Sequence, residues 1–319
     1  MTEPIEMPVV PEIARVPDVD DCTVVINGVG WRYLHAGTGP VLLLVHGFMG
    51  YSFSWRFVLK RLAQHYSVYA VDLPGTGFSQ RSASLPGTLT SDAEHLLSFM
   101  DRMGIQQCDV VGTSRGGGLT IALAGLLAER GMLHRVRKLV LSAPTSPWMQ
   151  YGLGRIRILS SRAGRVYVVH IAPRLPFVLR DFFHSLYADP ATIPPDSLAG
   201  YEAALELPGS FPYLAKIFRS WMNDLKRIDQ VLPLVEFVPA LFLWGNLDRA
   251  VSPDSMHELH SRWENSAEYL MTPVGHMPYE EAPEEFNRIV LDFLLGDTPD
   301  TPQQGQASAA VTEAATEPG

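Results

Sequence analysis

Cysteine is scarce: Cys22 and Cys108 are the only two in 319 residues. Two thiols cannot build a disulfide framework, and neither sits in a CxxC or metal-ligand spacing, so a reducing, cytoplasmic setting is expected and no metal. Long apolar runs are also missing. Stretches such as LTIALAGLLA stop well short of the roughly 18 apolar residues a spanning helix needs. The opening segment, MTEPIEMPVVPEIARVPDVDD, has acids where a signal peptide needs bases and prolines where it needs an apolar helix, so no secretion signal is expected. The body of the chain lacks net charge. The formal charge is −9, but residues 1–21 hold six acids and one arginine, and residues 297–319 hold four acids and no base. Residues 22–296 are therefore neutral, and no nucleic-acid partner is expected.

What is present is core material: 46% of residues are hydrophobic and 18% charged. From Thr23 onward, short apolar runs alternate with amphipathic segments. Val24–Ile26 and Trp31–His35 flank Asn27-Gly28, a dipeptide suited to a tight hairpin turn. Val41–Val45, Val68–Val71, Val110–Val111, Leu139–Leu141 and Leu241–Trp244 read as strands covered on both faces. Between Val71 and Val110, a capping box from Ser91 to Glu94 predicts a helix start, Leu96, Leu97, Met100 and Met103 share one face, and Gly104 closes the end. Alternation of this kind predicts an α/β fold with a mostly parallel sheet flanked by helices.

The alternation breaks between about residues 147 and 235, where arginines, aromatics and prolines appear without a convincing strand. This segment is expected to be an inserted helical cap over the strands' carboxyl ends. The division predicted is a core of residues 23–146 and 236–296, the cap at 147–235, an N-terminal arm at 1–22, and a disordered tail at 297–319, whose polar composition cannot bury enough surface to order itself.

Gly112-Thr113-Ser114-Arg115-Gly116 fits G-x-S-x-G between a strand and a helix-like run, the context in which a serine hydroxyl is thrust outward on a tight turn. A serine hydroxyl is a weak nucleophile and needs a base and a group to orient that base. Downstream, His276 lies in a loop after the strand-like Ala267–Met271, and Asp248 leaves the strand that ends at Trp244. The order Ser114, Asp248, His276 differs from that of the two major serine-protease folds.

Taken together, the elbow, HGF at His46–Phe48, DLPGTGFS at Asp72–Ser79, WGNLDRAVSP at Trp244–Pro253 and GHMPYEEAP at Gly275–Pro283 resemble, in order, the motifs of α/β-hydrolase-fold enzymes of the capped esterase and epoxide-hydrolase-like group. The resemblance covers roughly residues 23–296. It implies Ser114 as nucleophile, His276 as general base and then acid, Asp248 as the residue that orients the imidazole, and the backbone N–H groups of Phe48 and Arg115 as the oxyanion hole. It implies no cofactor. Relatives that open epoxides carry a carboxylate at the elbow, so Ser114 favours acyl transfer: hydrolysis of an ester-like bond in a small to medium apolar substrate. Carbon–carbon bond hydrolysis is the alternative, and a non-catalytic ligand receptor is a further one.

Several residues invite structural readings. His46 is expected to brace the oxyanion loop, Asp72 to organise a turn, and Cys108 to serve as a small buried hydrophobe. His257 and His260, three residues apart without further ligands, do not make a metal site. Arg115 departs from the uncharged residue common at this position, and a cation at a helix N-terminus opposes the helix dipole, so it is expected to pair with a protein carboxylate or, alternatively, with an acidic substrate. Residues 147–188 hold six arginines and one aspartate among aromatics. Either they form a solvated face over a buried aromatic side, the preferred reading, or they meet anionic lipid.

Overall fold

The structure, a computed structural model, describes residues 6–296. The predicted tail at 297–319 and the first five residues of the arm lie outside them. Eight strands form one sheet: β1 (Asp20–Ile26), β2 (Val29–Ala36), β3 (Val41–Val45), β4 (Ser67–Asp72), β5 (Cys108–Thr113), β6 (Val136–Ser142), β7 (Ala240–Gly245) and β8 (Ser266–Met271). Their order is β1-β2-β4-β3-β5-β6-β7-β8. The first two pairings, β1 with β2 and β2 with β4, are antiparallel, and the rest are parallel. Asn27 and Gly28 turn the β1–β2 hairpin with φ of 51° and 77°, the positive angles such a turn requires. β5 and β7 are buried along their whole length, as parallel strands covered on both faces must be.

The helices are α1 (Leu59–Leu62), α2 (Leu89–Arg102), α3 (Arg115–Glu129), α4 (Leu153–Ser160), α5 (Arg162–His170), α6 (Pro176–Leu186), α7 (Ser197–Leu205), α8 (Ser210–Val235), α9 (Asp254–His260), α10 (Pro278–Glu281) and α11 (Pro283–Leu295). α3 is buried on nearly every side, consistent with its apolar composition all round. α2 starts three residues before the position the Ser91–Glu94 box predicts. Thr88 is its cap, accepting from the Ser91 N–H at 3.1 Å. Glu94 turns outward and pairs with Arg130 instead. Gly104, with φ 70°, ends this segment as expected.

Between β6 and β7 the chain leaves the sheet and forms α4 to α8. α8 lies along α3, burying Leu214, Trp221, Leu225, Ile228, Val231 and Val235 at helical spacing. α4 and α5 rest on α8 in turn. The arm is not separate from the rest. A single turn at Glu12–Ala14 packs against α7, with Ala14 and Val16 buried. Cys22 lies half-buried in β1, and Cys108 is buried at the start of β5, where burial pushes its thiol up to about 12.

Asp72, fully buried at the end of β4, ties the two loops beside the sheet's carboxyl edge. Its carboxylate accepts from the Ser52 N–H at 2.8 Å, the Phe78 N–H at 2.8 Å and Arg32 Nη1 at 3.1 Å. Asp72 thus does what an aspartate before Pro-Gly was expected to do, and it also neutralises a buried arginine. Removing one member of a buried pair costs about 3–5 kcal/mol. Arg32 keeps two bonds to Asp21, so Asp72→Ala is expected at the lower end, about 3 kcal/mol, read as a fall in the urea midpoint with unchanged m-value.

Candidate active site

Ser114 occupies the single residue between β5 and α3, with φ 52° and ψ −123°. A non-glycine residue adopts such angles only where its surroundings impose them. Here three main-chain bonds do so: Ser114 N–H to Ser142 O at 2.9 Å, and Thr145 and Gly118 N–H to Ser114 O at 2.9 and 3.1 Å. The glycines on either side are required by close packing. A Cβ on Gly112 would lie 2.3 Å from Thr120 Oγ1, and one on Gly116 would lie 2.3 Å from His46 O. The hydroxyl itself makes no capping bond to α3 and stands half-exposed at its N-terminus.

The loop after β3 passes over this turn, and a Cβ on Gly47 would lie 3.1 Å from that of Ser114. His46 braces the loop from beneath. Its Nδ1 meets Gly47 O at 2.8 Å, and its Nε2 receives the Leu73 N–H at 3.4 Å and lies 3.0 Å from Thr76 Oγ1. Burial lowers its pKa, so the ring is neutral with its proton on Nδ1. Among the described residues the Phe48 N–H has no acceptor, and the Arg115 N–H, first in α3, has no carbonyl four residues back within the helix. Two main-chain donors therefore flank the hydroxyl. The Phe48 ring packs on Phe218 and Trp221 of α8, with centroids 5.2 and 5.4 Å away.

Asp248 and His276 meet across the ends of β7 and β8. Asp248 Oδ2 accepts from His276 Nδ1 at 2.7 Å, while Oδ1 accepts from the Ala250 and Val251 N–H groups at 2.7 and 2.9 Å. Both side chains are buried. This arrangement leaves His276 Nε2 as the imidazole's free nitrogen. Among the described residues neither Nε2 nor Ser114 Oγ has a hydrogen-bond partner, so the link between hydroxyl and imidazole is the one this structure leaves unmade. Such bonds commonly tighten only when substrate binds.

Two glutamates of the Gly275–Pro283 motif, with no role expected of them individually, organise the surroundings of His276. Glu281 accepts from the Gly275 N–H at 3.0 Å and the Met277 N–H at 3.2 Å, on either side of His276, and from Ala188 of the cap at 2.8 Å. The His276 N–H itself donates to Leu186 O at 2.7 Å. Glu280, buried, takes both Arg56 guanidinium nitrogens at 2.8 and 2.7 Å together with the hydroxyls of Tyr187 and Tyr201. His257 and His260 face Glu268 and Ser266, away from these residues in the fold.

The Arg115 side chain turns away from the hydroxyl into a buried cluster. Its Nη2 donates to Asp92 Oδ2 at 2.9 Å, and Tyr213 Oη donates to Asp92 Oδ1 at 3.2 Å. Burial opposes the guanidinium's charge, but Asp92, Tyr213 and Asp224 together more than offset this and raise its pKa. A protein carboxylate is therefore the partner. Asp224 of α8 closes the cluster, accepting from the Leu89 N–H at 3.1 Å and from Ser220 Oγ at 2.8 Å. Desolvation pushes its carboxyl up to about 6, against the opposing pull of Arg115 and these bonds. The folded chain holds this proton more tightly than the unfolded one, so the contribution favours folding at low pH and is lost as pH rises through about 6. Asp224→Asn, which cannot ionise, should gain up to about 3 kcal/mol relative to the parent chain between about pH 4 and pH 7. Urea unfolding at both pH values checks this, and a constant difference would refute it.

Known proteins share this architecture. The chain is 25% identical over 281 residues to the uncharacterised hydrolase YugF of Bacillus subtilis, covering 84% of this chain and 96% of that one. It is 28% identical over 286 residues to a 2-hydroxy-6-oxo-2,4-heptadienoate hydrolase of Pseudomonas putida, covering 86% and 96%. The solved 2-hydroxy-6-oxo-6-phenylhexa-2,4-dienoate hydrolase of Rhodococcus superposes with a TM-score of 0.75 at 21% identity, over 88% of this chain and 99% of that one. The sequence pattern of the alpha/beta hydrolase family matches residues 42–289. With the sheet order and that match in agreement, the chain belongs to the alpha/beta hydrolase family and is a hydrolase.

Proposed function

We propose that this hydrolase cleaves an ester-like bond in a small to medium apolar substrate, with Ser114, His276 and Asp248 as its catalytic triad. The observation that carries the reading is Ser114's strained, half-exposed position at a helix N-terminus, flanked by the unpaired Phe48 N–H and the first N–H of α3. Ser114 Oγ attacks the substrate carbonyl and passes its proton to His276 Nε2. Charge on the carbonyl oxygen is received by the N–H groups of Phe48 and Arg115. Asp248 holds the ring with Nε2 toward the reaction and stabilises the imidazolium. His276 then protonates the departing alcohol, leaving an acyl group on Ser114. A water molecule, deprotonated by His276, releases the acid and restores the serine. No cofactor takes part in these steps.

Serine also argues against epoxide opening. Attack by a carboxylate yields an ester that water can cleave, whereas attack by Ser114 would yield an ether with no carbonyl to receive water. Carbon–carbon hydrolysis is the second reading, favoured by the likeness to the Pseudomonas putida dienoate hydrolase. Its substrate carries a carboxylate, and the cation beside the nucleophile, Arg115, is already paired with Asp92, which supports the ester.

Ser114→Ala should abolish labelling by a fluorophosphonate probe and lower turnover of p-nitrophenyl esters by about 10⁴–10⁶. Retained labelling would remove the serine from the chemistry. Loss of a dienone acid's absorbance, with no ester turnover, would select the second reading. Arg115→Met should change KM for anionic and neutral esters in the same proportion. A selective rise for the anionic ester would mean that the guanidinium reaches substrate.

A further inference from the structure

The cap has two unlike parts. α7 and α8 are fastened to the sheet domain through Glu280, Asp92 and the Leu89 N–H. Residues 153–186, comprising α4, α5 and α6, are not: among the described residues none of their side chains hydrogen-bonds outside the cap. Ser160 reaches Phe218 O in α8, and Arg180 reaches Glu202 in α7. The chain is tied down on both sides of this excursion: Trp148 O accepts from Ser255 Oγ of α9, and Leu186 O accepts from the His276 N–H. The far end of the excursion therefore lies beside the candidate site.

Its charges are also unlike those elsewhere. Among the described residues, ten of the fifteen arginines outside it make salt bridges, and within it only Arg180 does, with Glu202. Arg155, Arg157, Arg162, Arg165 and Arg174 have no carboxylate at salt-bridging distance among the described residues. Six arginines and one aspartate give this segment a charge of +5 in a chain of −9. Large apolar side chains protrude among them: Ile158 is 68% exposed, Phe177 65%, Val166 57% and Ile171 46%. Of the aromatics expected on the buried side, Phe183 and Tyr187 do turn inward, but Phe177 and Tyr151 face outward, so part of that aromatic set joins the exposed apolar surface. Single exposed apolar residues are ordinary. Four on consecutive elements, interleaved with unpaired guanidiniums, are a pairing of chemistries.

We infer that the α4–α6 excursion docks on an anionic lipid bilayer, its apolar side chains entering the headgroup layer while the arginines meet lipid phosphates. Guanidiniums on flexible stems reach phosphates while their stems and neighbours remain in the apolar boundary. A fluid headgroup layer accommodates scattered protrusions without a complementary pocket, whereas an acidic protein surface would have to match each one. A bilayer docked there would bring apolar substrates close to the candidate site.

The test is co-sedimentation of the full chain with vesicles of phosphatidylcholine alone and of equal parts phosphatidylcholine and phosphatidylglycerol, at low salt. It reads binding and not turnover, so it stands or fails separately from the proposed reaction. Partition into the phosphatidylglycerol vesicles only is expected. R155Q/R157Q/R162Q should weaken it roughly hundredfold, taking about fivefold per arginine, and I158S/F177S should weaken it by at least about tenfold. Far-UV circular dichroism confirms that the variants are folded. No partition into anionic vesicles, equal partition into both, or indifference to the arginine changes would each overturn the inference. Weakening by the arginine changes but not by I158S/F177S would also overturn it, because the surface would then recognise polyanions such as an acidic protein.

Discussion

The close approach of β5, α3 and the loop after β3 constrains everything else in this molecule. Backbone atoms of Val45, His46, Gly112 and Gly116 crowd the space where side chains would stand, and Ser114, at the turn between these glycines, is forced into a conformation costing of order 1–3 kcal/mol. The surrounding main-chain bonds hold it there. In exchange, the hydroxyl emerges at the start of a buried helix, beside N–H groups that no carbonyl among the described residues satisfies. The geometry of the candidate site is thus a property of packing before it is a property of any functional group.

A second layer of buried polar bonds sets the cap against this core. Arg115 begins α3 with its amide and reaches Asp92 with its guanidinium, so one residue belongs both to the candidate oxyanion hole and to a cluster shared with α8. Glu280 does the same for α7, gathering Arg56, Tyr187 and Tyr201. Such groups are held at the cost of desolvation, and their value lies in geometry: a misplaced α8 would leave Asp92, Asp224 or Arg115 buried without a partner. The cap helices that carry these ties are accordingly fixed in register with the elbow.

Much of this was legible in the sequence because it is local. Strands announced themselves by apolar runs and the Asn27-Gly28 turn by its dipeptide. Ser114, Asp248 and His276 stand in short motifs whose spacing survives in the chain itself. The start of α2 was missed because two candidate caps, Thr88 and Ser91, lie three residues apart, and the pull of Arg130 on Glu94 is tertiary. Asp92, Tyr213, Asp224 and Glu280 were not legible as a group. Asp92 and Tyr213 are 121 residues apart, and Tyr201 and Glu280 79 apart. No period or spacing announces such meetings. Arg115 was the exception: a charge at a helix N-terminus demanded a partner, and the fold supplies one.

The pins at Trp148 and at Leu186–Ala188 mark the excursion between them as an exchangeable cassette. Glu281 grips the imidazole-bearing loop and Ala188 with one carboxylate, so the far boundary of that cassette is part of the scaffold of the candidate site, while the helices inside it are not. Duplicated descendants of this chain could thus replace α4–α6 wholesale without disturbing the residues proposed to move the proton beneath.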